Sequence, residues 1–235
     1  MLELSWPQGV TLQLEEEREA LAHKLALQTA EWLRAALQEK DRALLVISGG
    51  RTPVAFFKLL AQQELPWSKV DVTLADERWV DETHDDSNAA LVKEFLLQGP
   101  AAEANFLPLK NAAATPEEGC EQLEARLAEL SWPIDVLILG MGADGHTASL
   151  FPGAKELAHG LSTTDKCAPM HPVTALHPRM TLSYKVLAAA RHQALHITGE
   201  DKLTTLNKVL AKLDAVAEMP VRGFIRPGLN VFWSP

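Results

Sequence analysis

Short apolar runs alternate along this chain with longer stretches in which apolar residues return every three or four positions. The runs predict buried strands and the longer stretches predict amphipathic helices. A first strand is expected near Val10–Leu14. A helix follows over roughly Glu15–Glu39, with Leu21, Leu25, Trp32 and Ala36 along one face. "ALLVIS" (Ala43–Ser48) reads as a strand running into two glycines. Pro53 can then open a helix, because the first helical position needs no N–H donor. Val70–Leu74 is the next strand and enters a charged turn, "ADERWV". Asn88–Leu97 reads as helix and Phe106–Leu109 as a short strand. Thr115 has the chemistry of an N-cap, with Glu117 and Glu118 beside the positive end of the helix dipole. Cys120, Leu123, Leu127 and Leu130 form that helix's apolar stripe. "IDVLILG" (Ile134–Gly140) returns to strand. Arg179–Ile197 reads as strand–helix–strand. Leu203, Leu206, Leu210 and Leu213 mark a last helix, and "LNVFWS" (Leu229–Ser234) a last strand.

This alternation predicts an open, mostly parallel, Rossmann-like α/β sheet with helices on both faces, built as one domain over residues 1–235. Ligands of such sheets sit at the carboxyl ends of the strands. Three polar segments directly follow strands: "SGGRTP", "DERWV" and "GADGHTASLFP". Gly153–Pro178 is the least regular stretch and could form a mobile flap.

Composition narrows the classes of function. The chain is 47% hydrophobic, enough for a sizeable core. Its formal net charge is −9 with Lys and Arg scattered, which argues against a nucleic-acid surface but not against a small anionic ligand. The two cysteines, Cys120 and Cys167, match no metal-ligand spacing and suggest a reducing, cytoplasmic setting. "MLELSWPQGV" lacks the basic and apolar regions of a signal peptide, and no segment reaches the roughly 18 apolar residues of a membrane span. The oligomeric state is left open, with a monomer among the options.

The strand-end segments carry the candidate chemistry. In "SGGRTP", small residues and hydroxyls ahead of a helix could hold an anion on backbone amides, or form only a tight turn; both readings stand. The segment has neither Walker spacing nor G-x-S-x-G, since Val46 occupies the place of the first glycine. Gly140, Gly142 and Gly145 fit G-x-G-x-x-G. However, Pro152-Gly153 interrupts the helix that a dinucleotide site requires, and Asp144 and His146 suit catalysis better than passive pyrophosphate binding. His146 is the candidate general base, because histidine titrates near neutral pH. Asp144 either orients it or simply forms the turn. Asp76, Glu77 and Arg78 form a charge run of the kind usually solvated, although Arg78 could hold an anionic oxygen. Arg179 and Lys202, far apart in sequence, would each alone pass for surface cations. No histidine shows convincing metal spacing, so zinc is disfavoured.

"SGGRTP", "DERWV…SN", "LGMGADGHTASLFPG", "PRMTLS" and "TGEDK" occur in this order between positions 48 and 202. Together they resemble the glucosamine-6-phosphate isomerase/6-phosphogluconolactonase family over most of the chain, most specifically in DGHTASLFP. The resemblance implies an open α/β fold without a metal or organic cofactor. It implies hydrolysis of 6-phospho-D-glucono-1,5-lactone to 6-phosphogluconate, in the oxidative pentose phosphate pathway. By the same resemblance Ser48, Gly49, Gly50 and Thr52 would cradle the phosphate, with Arg179 and Lys202 supplying cations. His146 would be the base with Asp144 beside it, and Arg78 would lie near the substrate's polar groups. Asp76 would join the substrate site with a less defined duty.

One departure separates this chain from the deaminase relatives. Their loop resembles D-G-H-I-A-F-N-E-P, and Phe151 stands here in place of the glutamate. Deamination needs further acid–base groups for ring opening and for moving a proton between carbons, which phenylalanine cannot supply. A lactone is an activated cyclic ester and needs fewer. The expected mechanism is direct: the anchored phosphate orients the ring, His146 activates water, and backbone amides or Arg78 stabilise the oxyanion. Three competitors remain at this level: a sugar-phosphate isomerase or deaminase, a non-catalytic sugar-phosphate sensor, and a dehydrogenase. A sensor would have no need of the Asp144–His146 pair, and a dehydrogenase would bind NAD.

Overall fold

Three neighbouring strands of the main sheet are buried at every position: β2 (Ala43–Ile47), β3 (Val70–Leu74) and, with four apolar residues in a row, β6 (Val136–Leu139). Burial on both faces is what a parallel sheet covered by helices requires. The computed structural model describes residues 5–235 and places these strands at the centre of a seven-stranded sheet. Its other members are β1 (Thr11–Leu14), β5 (Asn105–Leu107), β9 (His192–Thr198) and β10 (Leu229–Ser234). The order is β1-β10-β9-β6-β2-β3-β5, with every pair parallel. The sheet is the mostly parallel α/β arrangement expected from the alternation of runs and stripes. Chain order reverses between β2 and β6, so the crevice beyond their carboxyl ends is the switch point where such folds bind ligands.

The helices are α1 (Arg18–Glu39), α2 (Val54–Ala61), α3 (Asn88–Phe95), α4 (Pro116–Leu127), α5 (Leu157–Ser162), α6 (Tyr184–Ala188) and α7 (Glu200–Leu210). Helix α1 packs on β2, β6, β10 and α2. It does so through Leu21, Leu25, Leu33 and the small residues between them, while Trp32 sits at the edge of that face, stacked on His192 at 5.0 Å. Thr115 caps α4 as anticipated, its side chain accepting the Glu118 N–H.

A second sheet was not anticipated. The run read as a charged turn is strand β4 (Asp76–Arg78), which pairs antiparallel with β8 (Arg179–Leu182), and β8 pairs with β7 (Cys167–Met170). A three-residue charged strand and one containing Pro169 carry no alternating apolar signal, which is why the pattern hid them. Within Gly153–Pro178, the least regular stretch of the sequence, α5 and β7 are the regular elements. The fifth strand also begins and ends earlier than Phe106–Leu109. Among the described residues no helix is long and apolar enough to cross a membrane.

Candidate active site

Each strand that ends at the switch point delivers one segment. From β2 the chain enters Ser48–Pro53, and α2 follows at once. This loop is pressed against α3: a Cβ on Gly49 would lie 2.0 Å from the Asn88 side chain, so only glycine fits. Asn88 in turn donates to the Asp76 carbonyl at 2.9 Å, tying the loop to β4. The Ser48 hydroxyl is enclosed and has no hydrogen-bond partner.

From β6 the chain enters Gly140–Gly153. Asp144 Oδ1 lies 2.6 Å from His146 Nδ1 and also accepts the His146 backbone N–H at 3.1 Å. One carboxylate thus sets both the loop and the ring. With Nδ1 engaged, the Nε2 edge of the imidazole is left for chemistry. Burial pushes the Asp144 carboxyl up, but the hydrogen bonds and charge of His146 outweigh it, and the net position is below the usual carboxylate range. A Cβ on Gly142 would lie 2.2 Å from the His146 ring and 2.7 Å from Asp144 Oδ1. The middle glycine of the G-x-G-x-x-G pattern therefore makes room for the Asp–His pair. On its other face, the His146 ring stacks on Phe151, with centroids 4.0 Å apart and planes 25° apart. The Arg179 guanidinium lies 5.6 Å from the same Phe151 ring.

The small sheet supplies two of the cations, and Lys202 in α7 a third. Arg78 and Arg179 are register partners across β4 and β8. Arg78 Nη1 donates to the Asp86 carbonyl at 2.5 Å, while its Nε is enclosed and unpartnered. Arg179 is buried and donates from Nε to the His177 carbonyl at 3.3 Å. Burial lowers its guanidinium from the ordinary value, with Asp76 pulling the other way. Asp76 is not solvated: it accepts from Ser149 Oγ at 2.5 Å and lies 3.9 Å from Arg179 Nη1. Glu77 is wholly buried and accepts from the N–H groups of Arg78, Asn88 and Ala89 and from Ser87 Oγ. Burial pushes its carboxyl up against the pull of those backbone donors. The expectation of a solvated charge run fails here, because the strand turns its first two carboxylates inward.

These segments enclose a cleft of about 560 Å³. Ser48, Gly49, Gly50, Thr52, Asp76, Arg78, Asp144, His146, Arg179 and Lys202 all line it, so every site residue singled out from the sequence faces one cavity. Arg51, Asn88 and His196 line it as well and were not singled out. Asn88 stood within the quoted "DERWV…SN" motif, and Arg51 within SGGRTP. His196 gave no signal, being one polar residue inside a strand. It is packed edge-on to Phe56 with its Nδ1 unpartnered, and burial lowers its pKa to about 4. The distant thiols Cys120 and Cys167 are free but adjacent. Their mutual hydrogen bond, with burial, raises Cys167.

Fold and cleft together define an α/β protein with an Asp–His pair and several cations at the switch point. The family model for glucosamine-6-phosphate isomerases/6-phosphogluconolactonase matches residues 16–233. A 6-phosphogluconolactonase of Pseudomonas aeruginosa is 50% identical over 99% of this chain and 98% of its own length. The crystal structure of a 6-phosphogluconolactonase from Shewanella baltica superposes with a TM-score of 0.95 at 40% identity, covering 98% of this chain and 100% of that one. A monomeric glucosamine-6-phosphate deaminase shares the fold with a TM-score of 0.78 at 16% identity, over 95% of this chain and 97% of its own. This chain belongs to the glucosamine-6-phosphate isomerase/6-phosphogluconolactonase family.

Proposed function

We propose that this protein hydrolyses 6-phospho-D-glucono-1,5-lactone to 6-phosphogluconate, as the names of its similar relatives suggest, and that it does so in the cytoplasm without a metal or organic cofactor. The observation that carries the reading is the Asp144–His146 pair, 2.6 Å apart, in one cleft with the Ser48–Pro53 loop and the cations Arg78, Arg179 and Lys202. The phosphate is held by Ser48, the amides of Gly49 and Gly50, Thr52, Arg179 and Lys202. Desolvated cations and backbone N–H groups bind phosphate strongly. Anchoring that end orients the lactone ring beneath His146. His146 Nε2 takes a proton from water as the oxygen attacks the carbonyl carbon. Arg78, whose Nε is unpartnered, or loop amides stabilise the oxyanion. The protonated imidazole, steadied by Asp144, then gives its proton to the departing ring oxygen. Phe151 favours hydrolysis over deamination, because an aromatic ring packed on His146 fills the place where deamination would need a carboxylate.

The test is lactone hydrolysis corrected for spontaneous opening, with the phosphorylated and unphosphorylated lactones compared. The phosphorylated lactone should be strongly preferred. His146→Ala should lower kcat by roughly 10²–10⁴-fold, the range for a positioned acid–base group, with KM changing much less. A folded His146→Ala protein with near-normal corrected turnover would remove the assignment.

A further inference from the structure

Outside the Asp144–His146 pair, a second group of metal-ligating side chains gathers at the open end of the small sheet. His84, Asp86 and His177 each offer one ligand atom, and these atoms all lie within 4.8 Å of one another. His177 Nε2 is 3.0 Å from Asp86 Oδ2, and His84 Nδ1 is 4.0 Å from the same oxygen. The two imidazoles meet edge to face, with centroids 5.5 Å apart. They come from separate segments, one before α3 and one before β8, so sequence spacing could not reveal the group. We propose that His84, Asp86 and His177 form a binding site for a divalent transition metal of the zinc class, separate from the His146 centre.

Two imidazoles and a carboxylate are a donor set zinc accepts, with water in the fourth position. Tetrahedral bonds of about 2.0–2.1 Å place ligand atoms roughly 3.3 Å apart, so the group closes by an ångström or so at its wider edges. His84 Nδ1 now accepts the Asp86 backbone N–H at 3.0 Å and exchanges that bond for the metal. His84 and Asp86 are about half exposed, which leaves a path for entry.

The site is wired to the cleft through two backbone carbonyls. The Asp86 carbonyl holds Arg78, and the His177 carbonyl holds Arg179. A metal that draws the Asp86 and His177 side chains together also fixes the anchors of both arginines. Metal occupancy therefore acts on substrate affinity, whereas the base lies elsewhere.

Zinc titration of the full chain by calorimetry tests the site, with Co²⁺ absorption reporting its geometry. One equivalent should bind in the micromolar range or tighter. His84→Ala and His177→Ala should each weaken it by at least about tenfold, the scale seen even for outer-shell losses. His146→Ala should keep it. Loading the wild-type protein with one equivalent should change KM for the phosphorylated lactone at least twofold, and loading His84→Ala should not. Circular dichroism checks that the variants are folded. Unchanged zinc affinity in His84→Ala, or affinity lost only with His146, would overturn the site. An unchanged KM on loading would overturn its coupling to the arginines. The binding measurements do not depend on the lactone reaction, so failure of the proposed function leaves this test intact.

Discussion

At the scale of single residues, the site depends on what is absent as much as on what is present. Gly142 has no functional group, yet a methyl there would overlap both His146 and Asp144. Gly142→Ala is therefore expected to displace the pair. Misplacing a catalytic group by an ångström can cost about 10²-fold in rate. Turnover should fall by that order while the thermal midpoint moves by only a few degrees, because the loop borders an open cleft. Near-normal turnover in a folded Gly142→Ala protein would mean that the ring does not work from this seat. The glycine pattern was plain in the sequence, but its purpose was not, since the same letters serve pyrophosphate binding elsewhere. The neighbours Asp144 and His146 tipped the reading, and local closeness made them legible.

At the scale of elements, Glu77 does more for the architecture than its place in a charge run suggested. Its two oxygens take the N–H groups of Asn88 and Ala89 at the start of α3, together with Arg78 N–H and Ser87 Oγ. A single carboxylate thereby joins β4 to α3 and holds Asn88 against the Ser48–Pro53 loop. Removing it leaves several buried donors unpaired, each costing about 1–3 kcal/mol. Glu77→Ala should lose roughly 3 kcal/mol or more in urea unfolding, and Glu77→Gln, which keeps an acceptor, should lose less. Equal stability of Glu77→Ala and wild type would show that water replaces the carboxylate. No periodicity could have revealed this role, because it rests on contacts between a strand and a helix start ten or more residues apart.

At the scale of the whole molecule, a buried titratable group links stability to pH. His196 lies in the central sheet, and burial lowers its pKa from 6.5 to about 4. Between those values the unfolded chain binds a proton that the folded chain refuses. Stability therefore rises with pH across that window and is fully present above it. Acidification from pH 6.5 to 4 should remove up to about 3 kcal/mol through this residue. Urea midpoints measured across that range should fall with pH in the wild type and fall less steeply in His196→Leu. Identical slopes in both proteins would show that His196 does not carry the effect.

The sequence by itself determined the strands and helices of the main sheet. Each is a local pattern: Ala43–Ile47 and Val136–Leu139 are apolar throughout because both their faces are covered, and Thr115 sits where a cap must. It also pointed to the loop residues of the cleft from Ser48 to Thr52 and from Asp144 to His146, because loops at strand ends carry their chemistry in consecutive letters, whereas Arg179 and Lys202 were found only through the family resemblance. The tertiary structure alone decided what meets what. It paired Arg78 with Arg179, placed His196 in the cleft wall, turned Glu77 inward, and brought His84 and His177 to one carboxylate. Those arrangements join segments up to about a hundred residues apart. The pairing energy lies in burial and hydrogen bonds that exist only after the chain has closed those loops.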